Sequence, residues 1–492
     1  MPRYNRSTFQ GQVAPDFLNR ELQKIEEAIR ALYDGELETI RGTPGGNGPL
    51  LVYTDGSYDF GDGLTGLYLR ENGVFKKVQA LSYSIDPPVI LPVNLPVSTG
   101  SLRTYGHIHG VTPIIIPPAP AGLTEHPGGV NTIAQMELFA GRVGAQTSPF
   151  INRWNTILAY ADARINESPT VSATYTVPPY YENASGHNTA KFALANDVQA
   201  AWACAFVWYI KSLLNGAPLA NNTYANRAVT LMNAWATQND VITIDEETPL
   251  VVSYTVPSFI QTGELLYDYP QWTTTQRNNW ESWLEANVHP AADFKKLRSL
   301  QENPDGTYSV KAGTTTPFYS NHNCWGLLTS LYINKYLENQ SNFDRDVELL
   351  KALIHFLIRN DGGLPSELSR GSSSILYTGF ALEALTASAE LVRNVGDEIL
   401  FEYVGASGGS LRKGLDFMYN KGIVDPSQWP QQSAVGNYGN HAAELFSAAG
   451  RIYGEAAWHQ WAETLTGTYR LQLPDFGGNG FTIPSTLQCE PF

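Results

Sequence analysis

Ser320-Asn321-His322-Asn323-Cys324-Trp325-Gly326 opens on small and polar groups and runs straight into Leu327-Leu328-Thr329-Ser330-Leu331-Tyr332. A polar start followed by an unbroken apolar run reads as the N-terminus of a buried helix. Outward from it, the chain from about residue 121 has the texture of helices of about 12 to 20 residues. Examples fall at 129–144, 147–165, 191–214, 222–237, 275–287, 343–358, 376–393 and 436–451. Their connections are short and carry Gly, Pro, Asn or Asp. No fixed-period repeat links them, which sets aside a regular solenoid. Successive helix hairpins without a repeat predict a mainly α architecture, either an α/α toroid or a large irregular bundle.

The front of the chain differs. Pro15 and Asp16 signal a helix start, Leu18, Leu22, Ile25, Ile29 and Leu32 follow as a heptad seam, and Gly35 stops it. About two heptads are too short for a stable coiled coil alone. The seam serves self-association as a homo-oligomer, docking on a larger partner, or packing on its own domain. From 37 to 118 the chain is rich in Gly and Pro and reads as strands. Asn72-Gly73 between Leu67-Tyr68-Leu69-Arg70 and Val74-Phe75 is a strong hairpin signal. The stretch from Pro87 to Pro120 is Pro-punctuated and extended. The expected division is an N-terminal helix at 1–36, a small β module with a Pro-rich linker at 37–120, and a helical domain at 121–492.

With 11 Trp, 26 Tyr and 20 Phe, and only 16% charged residues, the chain is not intrinsically disordered. Its 32 Lys+Arg against 47 Asp+Glu give a net charge of −15, which argues against a nucleic-acid partner. A polyanionic substrate then needs a local basic exception. Cys204, Cys324 and Cys489 form neither a disulfide framework nor a zinc spacing and read as buried thiols. No apolar run approaches the roughly 18 residues of a membrane span, and no secretory signal stands at the start.

Asn321 and His322 at a helix start are well placed to hold an anion, because free backbone N–H groups and the helix dipole favour negative charge there. A second segment, Asp361-Gly362-Gly363-Leu364-Pro365-Ser366-Glu367-Leu368-Ser369-Arg370, leads through Gly371 to Tyr377. Two helical turns would put Arg370 and Tyr377 on one face. Together, Asn321-His322-x-x-Trp325 and Leu364-Pro365-x-Glu367-Leu368-x-Arg370-Gly371 with Tyr377 closely resemble the alginate lyases of α/α-toroid fold, polysaccharide lyase family 5 and its relatives. His126-Pro127-Gly128-Gly129-Val130-Asn131-Thr132 looks like that family's opening. Tyr224-Ala225-Asn226-Arg227-Ala228, running on to Asn233-Ala234-Trp235, resembles one of its helices. The likeness covers roughly 121–480.

The resemblance implies β-elimination on a uronate polymer without metal or cofactor. The proton on C5, next to the C6 carboxylate, is removed and the oxygen on C4 is expelled. Asn321, His322 and Arg370 would neutralise the carboxylate and stabilise the enolate. Tyr377, with Arg370 favouring its phenolate, would serve as base and acid in a syn elimination. In an anti elimination His322 would be the base and Tyr377 the acid. Trp325 enters as a sugar-binding residue. The alginate-specific members carry a second basic residue where this chain has Ser373, and flank the tyrosine with His where it has Leu376 and Thr378. These departures put the identity of the sugar in doubt.

Further subsite candidates are Gln199 and Trp202 on one helix face, and Tyr438, Asn440 and His441 at another helix start. His107 and His109 make too small a set for a metal. The polar start, heptad helix and β module resemble the virion-anchoring front of phage tail spikes and fibres. That resemblance implies tail or baseplate partners through residues 1–120 and a virion enzyme acting on the host surface, which fits a chain without an export signal. Three rivals stand beside the virion lyase, one of them a cytoplasmic oligosaccharide lyase, which would explain the missing signal but not the front module. A toroid glycoside hydrolase needs two carboxylates, of which Glu367 is one candidate. A non-catalytic polysaccharide-binding virion protein would be expected to lose Tyr377 or Arg370.

Overall fold

The computed structural model describes residues 122–130, 132–147, 150–314, 319–396, 400–436, 438 and 441–464, with strands at 50–54, 66–71 and 74–77. Strands at the front and helices behind belong to two separate units. In the first, β1 (Leu50–Thr54), β2 (Gly66–Glu71) and β3 (Val74–Lys77) pair antiparallel in that order. Glu71 lies opposite Val74, so only Asn72-Gly73 joins β2 to β3, as the hairpin signal requires. The heptad helix, the Pro-rich stretch, His107, His109 and Cys489 lie outside the described residues.

The second unit is an α/α toroid, built from inner and outer helices that alternate along the chain. After α1 (Ile133–Gly144) and α2 (Phe150–Arg164) come α3 (Ala184–Asn215) and α4 (Thr223–Gln238). Then follow α5 (Thr248–Leu266), α6 (Thr274–Trp283) and α7 (His289–Lys296). The set continues with α8 (Asn321–Tyr336), α9 (Gln340–Leu357) and α10 (Ser374–Val395). It closes with α11 (Leu411–Phe417), α12 (His441–Tyr453) and α13 (Ala456–Thr464). The inner helices α3, α5, α8 and α10 pack each on the next. They are apolar nearly all round, and α5, α8 and α10 are buried along almost their whole length. Outer helices bury one stripe: α9 turns Phe343, Val347, Leu350 and Ile354 inward at spacings of four and three.

Because an outer helix returns the chain between each inner pair, α3, α5, α8 and α10 run the same way. Their N-termini gather at one end. The 371–395 stretch is long and apolar enough to cross a membrane, which corrects the sequence expectation. Most of it is buried in the toroid as an inner helix. Cys204 and Cys324 are buried free thiols, as expected.

Helix extents differ from expectation in places: α3 begins at Ala184, seven residues before the expected 191, and α12 begins at His441, five residues after the expected 436. The α5 segment is not among the helices named from the sequence; Pro249 suits its first turn, whereas Pro257 lies in its interior and removes a donor. Pro257 cannot donate to the carbonyl of Ser253, but the Thr329 hydroxyl of α8 reaches that carbonyl at 2.5 Å and satisfies it. The expected 275–287 helix runs on. A widened π turn at Leu284–Val288 carries it past Pro290, which sits in the first turn of α7.

Candidate active site

The gathered N-termini form the site, and the 320–326 motif shows how. Ser320 caps α8, its hydroxyl accepting from the His322 N–H at 3.3 Å while the Asn323 side chain accepts from the Ser320 N–H at 3.1 Å. The Asn323 amide also donates to the carbonyls of Lys296 and Arg298, at 3.1 and 2.9 Å. Gly326 lets the two helices touch, since a Cβ there would stand 2.4 Å from the Lys296 nitrogen. Motif residues therefore dock the C-terminal end of α7 against the start of α8.

That docking brings two cations to His322. Its Nδ1 lies 3.0 Å from the Arg298 guanidinium and 3.5 Å from Lys295 Nζ. Neither cation can accept a hydrogen bond, so Nδ1 must be the acceptor and the ring proton sits on Nε2. Burial, then Lys295, Arg298 and Arg370, hold His322 well below the ordinary imidazole value. It is a neutral donor. Glu246, just ahead of α5, ties the two cations together: Lys295 Nζ meets its carbonyl at 2.5 Å and its carboxylate at 3.1 Å, and Arg298 meets the same carboxylate at 3.3 Å.

Beside His322, Glu367 is fully buried and accepts from the Asn321 backbone N–H at 2.6 Å and from the Asn321 amide at 3.1 Å on each oxygen. Burial pushes it up to about 7 against these donors and Arg370. Arg370 stands on a turn, and its guanidinium lies 4.2 Å from the centre of the Tyr377 ring. The two share a site as expected, but not as two turns of one helix. The chain makes a short helical turn at Pro365–Leu368, then a 3-10 turn at Gly371–Ser373, and α10 starts only at Ser374. Tyr377 is half-buried in the first turn of α10, near the positive end of the helix dipole.

Lys295, Arg298 and Arg370 thus meet the N-termini of inner helices at one mouth. This is the local basic exception that a chain of charge −15 needs for an anionic substrate.

Residues 146–429, more than half of the chain, match the sequence profile of the alginate lyase family. The chain belongs to that family. No curated protein matches it. An alginate lyase from Bacteroides ovatus has a similar fold, with a TM-score of 0.53 at 16% identity, covering 70% of this chain and 96% of that one. A histidine-to-alanine variant of alginate lyase A1-III from a Sphingomonas species, in its apo form, gives a TM-score of 0.51 at 14% identity over 75% of this chain and 97% of its own. A variant of the same enzyme complexed with a tetrasaccharide gives 0.50 at 14% identity over 68% and 90%. This alginate lyase family member is a polysaccharide lyase.

Several expected site residues take other places in the lyase. Trp325 is fully buried against Tyr254 and Phe380 and touches no cleft. Trp202 is buried and stacked on Phe206, with no face left for a sugar ring. Gln199 accepts from Tyr160 at 2.6 Å on a half-buried surface. Asn321 is also buried, and its donors point at Glu367; as placed, it supports the floor beneath His322 instead of meeting a substrate carboxylate. Tyr438 donates to the Gly422 carbonyl at 3.1 Å and packs edge-on to Trp461. His441 begins α12, while its side chain and Asn440 lie outside the described residues. Glu367, sealed from the mouth, cannot serve as one of a hydrolase's two carboxylates.

The sequence reading missed Lys295, Arg298 and Glu246. One signal was present: Lys295-Lys296-x-Arg298 puts three cations in four positions, the densest basic run in the chain.

Proposed function

We propose that this lyase cuts a uronic-acid-containing polysaccharide, alginate-like or of capsule or exopolysaccharide type, by β-elimination. Tyr377, entering the step as its phenolate, takes the C5 proton. The C5–H electrons form a C4=C5 double bond, the C4–O4 bond breaks, and Tyr377 returns the proton to O4, ending as it began. Arg370 holds the phenol in place and sets a positive charge beside the reacting atoms. The observation that carries this reading is the Nδ1 of His322 facing two cations. With Nε2 protonated, the one remaining lone pair is on Nδ1 and faces the two cations, so His322 donates to the carboxylate and Tyr377 handles both proton transfers. One group doing both favours syn elimination. C5–H and O4 then lie on the same ring face, as in D-mannuronate and D-glucuronate.

The rest of the proposal concerns where the lyase works. Residues 1–120 anchor a phage tail or baseplate, 121–492 form the catalytic domain, and the enzyme acts from the virion on the host surface. The heptad pattern, an antiparallel three-stranded sheet and the Pro-rich stretch ahead of a depolymerase support this. Two experiments test the proposal. Tyr377→Phe should lose about 10²-fold or more of the ultraviolet-absorbing product formed from a responsive polymer; full activity in that variant would sink the mechanism. Antibody labelling of purified virions should place the chain at the tail, and label only in the lysate would remove the virion assignment.

A further inference from the structure

A histidine in an active site usually donates from Nδ1 to a carbonyl or carboxylate, which leaves Nε2 as the acceptor, the arrangement of a base. Here the sign at Nδ1 is reversed. The partner is Arg298, a donor with no lone pair to offer, reinforced by Lys295. The two cations are not equivalent. Lys295 is fully buried and bonded to the main chain of Glu246, so it braces the loop ahead of α5. Arg298 is 30% exposed at the mouth, and its carboxylate partner Glu246 is 61% exposed. It is the member of the pair whose side chain can be changed without emptying the core.

We propose that Arg298 is a positioning residue for the elimination: anchored on Glu246, its guanidinium holds His322 as the Nε2–H tautomer, so that the imidazole meets the substrate as a hydrogen-bond donor. This rests on the elimination reading above. The charged groups facing His322 are Lys295 at the end of α7, Arg298 after it, Glu246 ahead of α5 and Arg370 ahead of α10. Beyond Arg370 lies Tyr377, and beneath Asn321 lies Glu367. Arg298 therefore adds to a positive surround. Its loss frees Nδ1 to take a proton and brings His322 towards ordinary imidazole behaviour.

The test uses the full-length protein with Arg298→Met and the conservative Arg298→Lys. Ring ¹⁵N shifts of His322, assigned by their loss in His322→Gln, are followed from pH 5 to 9 alongside kcat and KM. The native protein and Arg298→Lys should both keep the proton on Nε2 throughout. Arg298→Met should show His322 titrating closer to the ordinary value of about 6.5. Its kcat should fall about tenfold to a hundredfold, with KM changing less and a new pH dependence over that range. An Arg298→Met ring with the native tautomer and titration, or a kcat loss that Arg298→Lys fails to rescue, would overturn the proposal. The nuclear magnetic resonance arm needs no substrate. A native protein that makes no unsaturated product overturns the elimination reading separately.

Discussion

Glu367→Gln isolates the most unusual carboxyl in the site. Burial pushes Glu367 up to about 7, while its ordinary value is 4.5. The folded state therefore binds its proton more tightly than the unfolded chain does. The stability this supplies is fully present below pH 4.5 and is lost as pH rises through about 7. A separation of about 2.5 units at about 1.4 kcal/mol each makes the total roughly 3 to 4 kcal/mol. The group is fully buried, so solvent screening removes little of this. Glutamine carries no titration. Its amide can be met by a turned Asn321 side chain, whose Oδ1 has no hydrogen-bond partner here. Urea unfolding of both proteins at steps from pH 4.5 to 8 gives the difference directly. The native protein should lose about 1 kcal/mol per pH unit relative to the glutamine variant up to about pH 7, then run parallel to it. A native-minus-glutamine stability difference that stays constant or rises over pH 4.5 to 7 would rule out the raised Glu367 carboxyl.

Other expectations follow from the same geometry. Arg370→Ala should lower kcat by about 10²-fold or more, and Arg370→Lys should recover only part, because a lysine keeps the charge but not the flat stack on Tyr377; steady-state kinetics of the two variants decides. Trp202→Ala should cost about 3–5 kcal/mol of stability and leave KM unchanged, since Trp202 is core. Thermal unfolding and kinetics together check this, and a raised KM with native stability would restore it as a subsite.

Much of the toroid was legible because its outer helices bury single stripes and its breaks carry Gly, Pro, Asn or Asp. The predicted 222–237 and 376–393 lie close to the observed Thr223–Gln238 and Ser374–Val395. Part of what was missed turns on proline. A local pattern cannot know that Thr329, 76 residues away, will satisfy the carbonyl stranded by Pro257, so α5 went unseen. Nor does it foresee a π turn that admits Pro290 and carries Lys295 and Arg298 to His322. Motif residues were legible as a group, because the pairing of Asn321-His322 with Arg370 and Tyr377 is unusual. Burial then divided them, as Trp325 shows: its position within the motif reflects packing against Tyr254 and Phe380.

In the proposed mechanism each cut is an elimination performed by Tyr377 with His322 as donor. The direct measurement counts unsaturated uronate ends, by ultraviolet absorbance, against new reducing ends during digestion of mannuronate- and glucuronate-containing polymers. The account predicts one unsaturated end for every cut by the native enzyme and almost no cuts by Tyr377→Phe. New reducing ends without matching absorbance would contradict it.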